Sequence, residues 1–226
     1  MAESALRPAA VSGDYSISRK RMVREQLLGR GIRDERVLSA FLKVPRHCFV
    51  EEGLQPMAYN DHPLSIGQGQ TISQPYIVAT MLEALALRAS DRVLEIGTGC
   101  GYQTAVLSEL VAQVYSIERL PDLMLKARRV LKQLACRNIT LRLGDGTLGW
   151  LEQAPFDAIV VSAASPQVPQ PYLSQSSETG RLILPIGDAS SQELWLHRKQ
   201  DGQWRSQKLS GCRFVKLKGK HGFEPS

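Results

Sequence analysis

The 226-residue chain has no run of about 18 apolar residues, so its sequence offers nothing that would span a bilayer. Residues 1–18 lack the apolar stretch of a secretory signal. They carry Glu3, Asp14 and a single arginine, Arg7, which does not fit a mitochondrial leader. A short flexible tail and a cytoplasmic protein are expected. Cysteine is scarce: Cys48, Cys100, Cys136 and Cys212 form no CxxC pair, and no Cys/His cluster has zinc spacing. Free thiols in a reducing compartment, and no metal, follow. Repeats, low-complexity tracts and basic segments interleaved with aromatics are also missing. The last absence argues against specific nucleic-acid binding.

What is present supports one ordinary core, with 43% hydrophobic residues. The net charge is +6, with basic clusters at 19–21, 126–129 and 216–220. These read as solvated faces before they read as a site for an acidic partner. A helix is expected over 17–29 and stopped by Gly31, and a second over 34–42 with Asp34 as N-cap and Pro45 beyond its end. Residues 44–74 are rich in proline, glycine and polar side chains and show no long period, as functional loops do. A third helix opens at Pro75 and runs to about residue 89.

From residue 90 the pattern alternates. Strands are expected at 92–96, 114–117, 139–143, 156–162 and 181–185, with helices at 101–111 and 121–135. The continuous run Ala158-Ile159-Val160-Val161 lacks polar alternation, as strands buried on both faces do. Segments 193–199 and 203–209 flank Asp201-Gly202 and read as a β-hairpin. The fold class is therefore α/β: a mostly parallel sheet with a C-terminal antiparallel hairpin and an N-terminal helical extension. The expected division is a tail (1–18) and a single domain (19–226), split into helices and a loop (19–90) and the sheet (91–226). A monomer is expected.

Val93-Leu94-Glu95-Ile96 runs straight into Gly97-Thr98-Gly99-Cys100-Gly101-Tyr102. A strand, a glycine turn and a helix N-terminus form the usual nucleotide cradle of α/β sheets. Dinucleotide folds space their glycines G-x-G-x-x-G, whereas Tyr102 occupies that last position here. Glu118 ends the next strand, where a carboxylate can accept hydrogen bonds from both ribose hydroxyls. Asp145, in Gly144-Asp145-Gly146, could accept from an adenine amino group or simply make an Asp-Gly turn. The tighter G-x-G-x-G spacing resembles the first motif of S-adenosylmethionine-dependent methyltransferases, a Rossmann-like fold.

The loop Pro63-Leu64-Ser65-Ile66-Gly67-Gln68-Gly69-Gln70-Thr71-Ile72-Ser73-Gln74-Pro75-Tyr76 resembles the signature of protein-L-isoaspartate O-methyltransferases. Segments 93–102, 144–150, 156–164 and 180–187 resemble the same family in the right order. The resemblance runs from about residue 21 to residue 217. It implies S-adenosylmethionine as cofactor and isoaspartyl peptides and proteins as partners. It makes Ser73 the active-site serine and places Ile72, Ser73 and Gln74 beside the transferred methyl. Glu95, Gly97, Thr98, Gly99, Gly101, Glu118, Asp145 and Gly146 become cofactor contacts. Two positions depart from the family pattern: Lys216 stands where proline is usual, and Tyr76 where histidine often follows the loop proline. The first leaves the C-terminal segment's contacts with peptide open.

The implied reaction esterifies a carboxylate, and the ester then collapses to a succinimide that hydrolyses partly to normal aspartate. An exposed carboxyl has a pKa of about 4 and is already ionised at neutral pH, so no strong base is required. Alignment is the main demand. A serine hydroxyl suits it, donating a hydrogen bond without neutralising the nucleophile; Ser73 could alternatively be an N-cap for the following helix. Two other functions stay open: a family member acting on another peptide carboxylate, and a catalytically silent cofactor-binding module that recruits partners. The glycine after Asp201 does not hinder backbone attack, so Asp201-Gly202 is expected to isomerise and become a self-substrate. Peptide mapping of aged protein by mass spectrometry should find isoaspartate at Asp201; no signal there would refute the assignment.

Overall fold

The computed structural model describes residues 14–188 and 190–224; most of the expected tail, residues 1–13, lies outside the described residues. Helix α1 (Ser16–Arg21) begins within the last three residues of the expected tail, 16–18. It continues as a wider π-helical segment (Met22–Leu27) and a 3-10 turn (Leu28–Arg30), burying Met22, Val23 and Leu27. Gly31 ends it in the left-handed region at φ 103°, which costs glycine no Cβ clash. Helix α2 (Glu35–Lys43) is capped by the Asp34 carboxylate, which accepts from the Arg36 and Val37 N–H groups. Its buried Val37, Ala40 and Phe41 recur at helical spacing.

The long loop holds more structure than its sequence pattern shows. Two 3-10 turns (Arg46–Phe49 and Glu52–Met57) are followed by a small antiparallel hairpin, β1 (Leu64–Gly67) and β2 (Gln70–Ile72). Strands of four and three residues are too short to show a period. Helix α3 (Pro75–Ala84) starts with proline in its first turn and ends earlier than expected, near Ala86 at φ 47°.

The main sheet contains β3 (Arg92–Ile96), β4 (Gln113–Glu118), β5 (Ile139–Leu143), β6 (Phe156–Val161), β7 (Ser176–Gly187), β8 (Gln192–Gln200) and β9 (Gln203–Cys212). Their spatial order is β5-β4-β3-β6-β7-β8-β9. Pairs among β3 to β7 are parallel, and β7-β8 and β8-β9 are antiparallel. The β8-β9 turn has Asp201 at φ 51° and Gly202 at φ 74°, the double left-handed conformation that tight hairpins favour. Helices α4 (Tyr102–Ser108) and α5 (Pro121–Gln133) make the crossovers, and a short α6 (Gln170–Ser174) precedes β7.

Side-chain alternation along the strands builds two cores. Val93, Val114, Ala158 and Val160 share one core with the N-terminal helices, α4 and α5. Leu94, Ile96, Ile117, Ile159 and Val161 pack on the other with Phe156 and Tyr172. Strand order reverses between β3 and β6, so the loops at their C-terminal ends diverge and leave a crevice, the usual ligand position in open α/β sheets.

A buried ion pair locks the opposite end. Arg181 Nη2 lies 2.8 Å from Asp91 Oδ2, and the guanidinium also donates to the carbonyls of Leu85, Ala86 and Asp157. Asp91 further accepts from the Arg88 N–H. Removing one member strands the other charge in a dry site. Asp91→Ala should lower urea unfolding free energy by about 3–5 kcal/mol. A loss below about 1 kcal/mol, the worth of a surface pair, would show that the contact is not structural.

Candidate active site

A cavity of about 610 Å³ opens at the C-terminal ends of β3, β4 and β6. Its walls include the β1-β2 hairpin and the residues after it, with Thr71, Ile72 and Ser73; the glycine turn and the start of the following helix; the end of β4; Ser162 and Ala163 after β6; and residues 215–218. Gly97 and Gly99 hold φ values of 92° and 56°, so bare backbone faces the cavity where an L side chain would be strained. Gly146 also lines the wall, and a Cβ there would meet Ile96 Cγ2 at 2.6 Å.

Glu118 closes β4 at the cavity edge. Its Oε2 accepts from Gly99 N at 2.8 Å, and its Oε1 from Arg119 N at 2.8 Å and Leu120 N at 3.0 Å. Three backbone donors fix the carboxylate and leave one lone pair, on Oε2, able to accept from a ligand's hydroxyl. Ser73 lies on the wall with its hydroxyl free of hydrogen bonds among the described residues. Gln74, not Ser73, takes the N-cap position of α3, and no side chain caps that helix. The capping alternative for Ser73 therefore fails.

Of the expected site residues, Ile72, Ser73, Gly97, Thr98, Gly99, Glu118 and Gly146 line the cavity. Four others do not, each for a physical reason. The Gln74 side chain turns away to donate to Asp61. Gly101 packs toward α5, where its Cβ would come within 3.2 Å of Ala127 Cβ. Asp145 stands off the wall, tied to its own turn and to the C-terminal segment: Oδ1 accepts from the N–H and hydroxyl of Thr147, and Oδ2 from the Lys220 N–H at 2.9 Å. The C-terminal turn packs so closely on this carboxylate that a Cβ on Gly219 would lie 2.1 Å from Oδ1. Burial pushes the Asp145 carboxyl up, but the bonds from Lys220 and Thr147 together outweigh it and lower its pKa.

Glu95 is the fourth. Strand alternation turns it under α4, fully buried. Its Oε2 accepts from Thr104 Oγ1 at 2.5 Å and Ser116 Oγ at 2.6 Å, and its Oε1 from Gln103 Nε2 at 3.1 Å. Ser116 is 2.6 Å from Thr98 Oγ1, and Gln103 reaches Ser162 Oγ at 2.9 Å. The carboxylate thus braces the glycine turn from below. Sequence reading missed Gln103, Ser116, Ser162 and Arg46; alternation along β3 and β4 could have paired Glu95 with Ser116. The Cys100 thiol, pushed up to about 11 by burial, is protonated at neutral pH and no nucleophile. Lys216, at the departure from the family pattern, lines the cavity with its Nζ 5.2 Å from the Phe223 ring centre.

Burial raises the Glu95 carboxyl from 4.5 to about 7 against the pull of its three donors. Between those values the folded chain keeps a proton that the unfolded chain loses, so this group's contribution to stability falls as pH rises through the window and stays low above it. Glu95→Gln cannot ionise. The unfolding free energy of the variant minus that of wild type should therefore rise with pH between 4.5 and about 7 and level off beyond. A pH-independent difference in urea titrations would refute the shift.

Comparison with known proteins agrees with this layout. A model of the family described as Protein-L-isoaspartate(D-aspartate) O-methyltransferase matches residues 18–222. The chain is 53% identical over 211 residues to Protein-L-isoaspartate O-methyltransferase 1 of Syntrophobacter fumaroxidans, covering 93% of this chain and 99% of that one. It is 52% identical over 206 residues to the Protein-L-isoaspartate O-methyltransferase of Methanoculleus marisnigri, covering 91% and 94%. Among solved structures, a protein-L-isoaspartate O-methyltransferase superposes with a TM-score of 0.83 at 30% identity, covering 90% of this chain and 67% of that one. A Plasmodium falciparum structure titled as the same enzyme, in complex with S-adenosyl-L-homocysteine, gives 0.77 at 28% identity, covering 88% and 98%. From the glycine turn to the serine loop, this chain belongs to the protein-L-isoaspartate (D-aspartate) O-methyltransferase family.

Proposed function

We propose that this chain is an S-adenosylmethionine-dependent carboxyl O-methyltransferase acting on L-isoaspartyl residues of damaged proteins, the first step of their repair. The carrying observation is the position of Ser73. In a chain of this family, its unbonded hydroxyl shares one cavity with the bare backbone of Gly97 and Gly99. The relatives' names and the S-adenosyl-L-homocysteine complex of the Plasmodium falciparum structure support the same cofactor and substrate class.

The residues present fit that cofactor. Gly97 and Gly99 leave room for close backbone approach, and Glu118 offers a fixed carboxylate suited to a ribose hydroxyl. Ile72, Thr98 and Gly146 complete the adjoining wall. When bound, the cofactor supplies an electrophilic methyl on a sulfonium, whose carbon–sulfur bond breaks as the carboxylate oxygen bonds to carbon. The chain's own task is to place that oxygen. Ser73 donates a hydrogen bond to one oxygen of the acceptor carboxylate and leaves the other free to attack. The walls exclude competing water, and positioning of this kind is worth several kcal/mol.

In this reading the working unit is a monomer. Residues 19–226 act as one methyltransferase domain in this reading, with 19–90 presenting the acceptor loop and 91–226 the cofactor sheet. The cysteines are unpaired, which fits a reducing compartment such as the cytoplasm. Among the described residues no helix is long and apolar enough to cross a membrane.

With labelled cofactor, methyl transfer should occur to an isoaspartyl peptide and not to its normal aspartyl twin. Equal labelling of both peptides would reject the substrate class. Ser73→Ala should lower kcat by about 10- to 100-fold, as loss of one hydrogen bond to a charged group does. Cofactor affinity should hold, and unchanged kcat would remove Ser73 from the reaction.

A further inference from the structure

Arg46 is the largest fully buried side chain among the described residues. It sits in the 3-10 turn after Pro45, and none of the ion pairs among the described residues includes it. Both of its hydrogen bonds go to neutral backbone carbonyls: Nε donates to Ala58 O and Nη2 to Ser73 O, each at 2.8 Å. Its guanidinium carbon lies 4.8 Å from the ring centre of Tyr102, which itself forms part of the cavity wall. Arg46 Nη1 and the Tyr102 hydroxyl are both buried without a hydrogen bond of ordinary geometry, and the two side chains interact with each other.

A buried cation is costly to keep unless it is paired. Here the charge has only carbonyls and the ring and hydroxyl of Tyr102 to offset it, and no carboxylate pairs with it among the described residues. One of those carbonyls belongs to Ser73, and the cation stands one layer behind a cavity built for an anionic acceptor. Fields through such a dry layer are weakly screened. Arginine's planar fork spans two carbonyls at fixed geometry, which a lysine ammonium cannot reproduce.

We propose that Arg46 is a positioning residue for the methyl acceptor: its fork fixes the backbone of Ser73, and its unpaired charge draws the substrate carboxylate to the wall. The bound substrate supplies the counter-charge that the folded protein lacks. This rests on the reading of Ser73 and the isoaspartyl substrate given above.

Two variants separate fork from charge. Arg46→Met removes both, and Arg46→Lys keeps the charge alone. Each is assayed with a synthetic isoaspartyl peptide for kcat and KM, by calorimetry for the Kd of S-adenosylhomocysteine, and by thermal melt. Arg46→Met should lower kcat/KM for the peptide about 100-fold, the scale of a slightly misplaced reacting group, with S-adenosylhomocysteine affinity retained. Arg46→Lys should restore the peptide KM while kcat stays about tenfold low, as expected for a lost fork contact.

Folded variants with wild-type kcat and KM would overturn the proposal. So would losses that merely track Tm and S-adenosylhomocysteine affinity, since these would show a structural role alone. If Arg46→Met does not fold, Arg46→Lys decides: low kcat with intact S-adenosylhomocysteine binding supports the role, and normal kcat refutes it. A wild-type protein that binds S-adenosylhomocysteine but does not methylate the peptide overturns the functional reading, and this proposal with it. An active wild type with unaffected Arg46 variants overturns this proposal alone.

Discussion

The functional end of this protein depends on one buried carboxylate. Glu95 on β3 gathers hydrogen bonds from Ser116 on β4 and from Gln103 and Thr104 on α4. Through those partners it reaches Thr98 in the glycine turn and Ser162 at the end of β6. Two strands, the crossover helix and the turn between them are thus referenced to a single group. Desolvation opposes its ionisation, and only a fully donated set of hydrogen bonds makes it tolerable there. The turn can then carry left-handed glycines without the backbone drifting, because what lies under it is fixed.

Charge burial is arranged differently at the two ends of the sheet. At the N-terminal end, Asp91 and Arg181 neutralise each other and tie the strand starts to the turn after α3. At the C-terminal end, Glu95 is met by neutral donors and Arg46 by neutral acceptors. Paired charge serves cohesion. Glu95 and Arg46, which have no ion-pair partner among the described residues, lie at the cavity end of the sheet, held by neutral hydrogen-bonding groups.

Much of this was legible in sequence. The parallel strands announced themselves as short β-branched runs, since burial on both faces removes polar alternation. The glycine spacing and the Thr71-Ile72-Ser73 loop lie within single stretches of chain, and both line the cavity. What could not be read depends on distant partners. Arg46 looks like any basic residue after a proline until Ser73, 27 positions on, folds back onto it. Asp145 reads as a free acceptor until Lys220 arrives from 75 positions away. Glu95 was expected at the cofactor on the family resemblance, whereas strand alternation turns its side chain under α4. The β1-β2 hairpin escaped because strands of four and three residues carry no measurable period.

The bond between Asp145 and Lys220 also sets an order of events in time. A ribosome adds about 5–20 residues per second. Crossing the 75 positions between these two residues therefore takes roughly 4–15 s. For that interval the central strands can pair and bury their faces, while the Asp145 carboxylate remains hydrated and the wall at residues 215–218 does not exist. In chain order every strand of the sheet precedes the wall at residues 215–218, so the sheet can be laid down without the closed cavity, but the closed cavity cannot exist without the sheet.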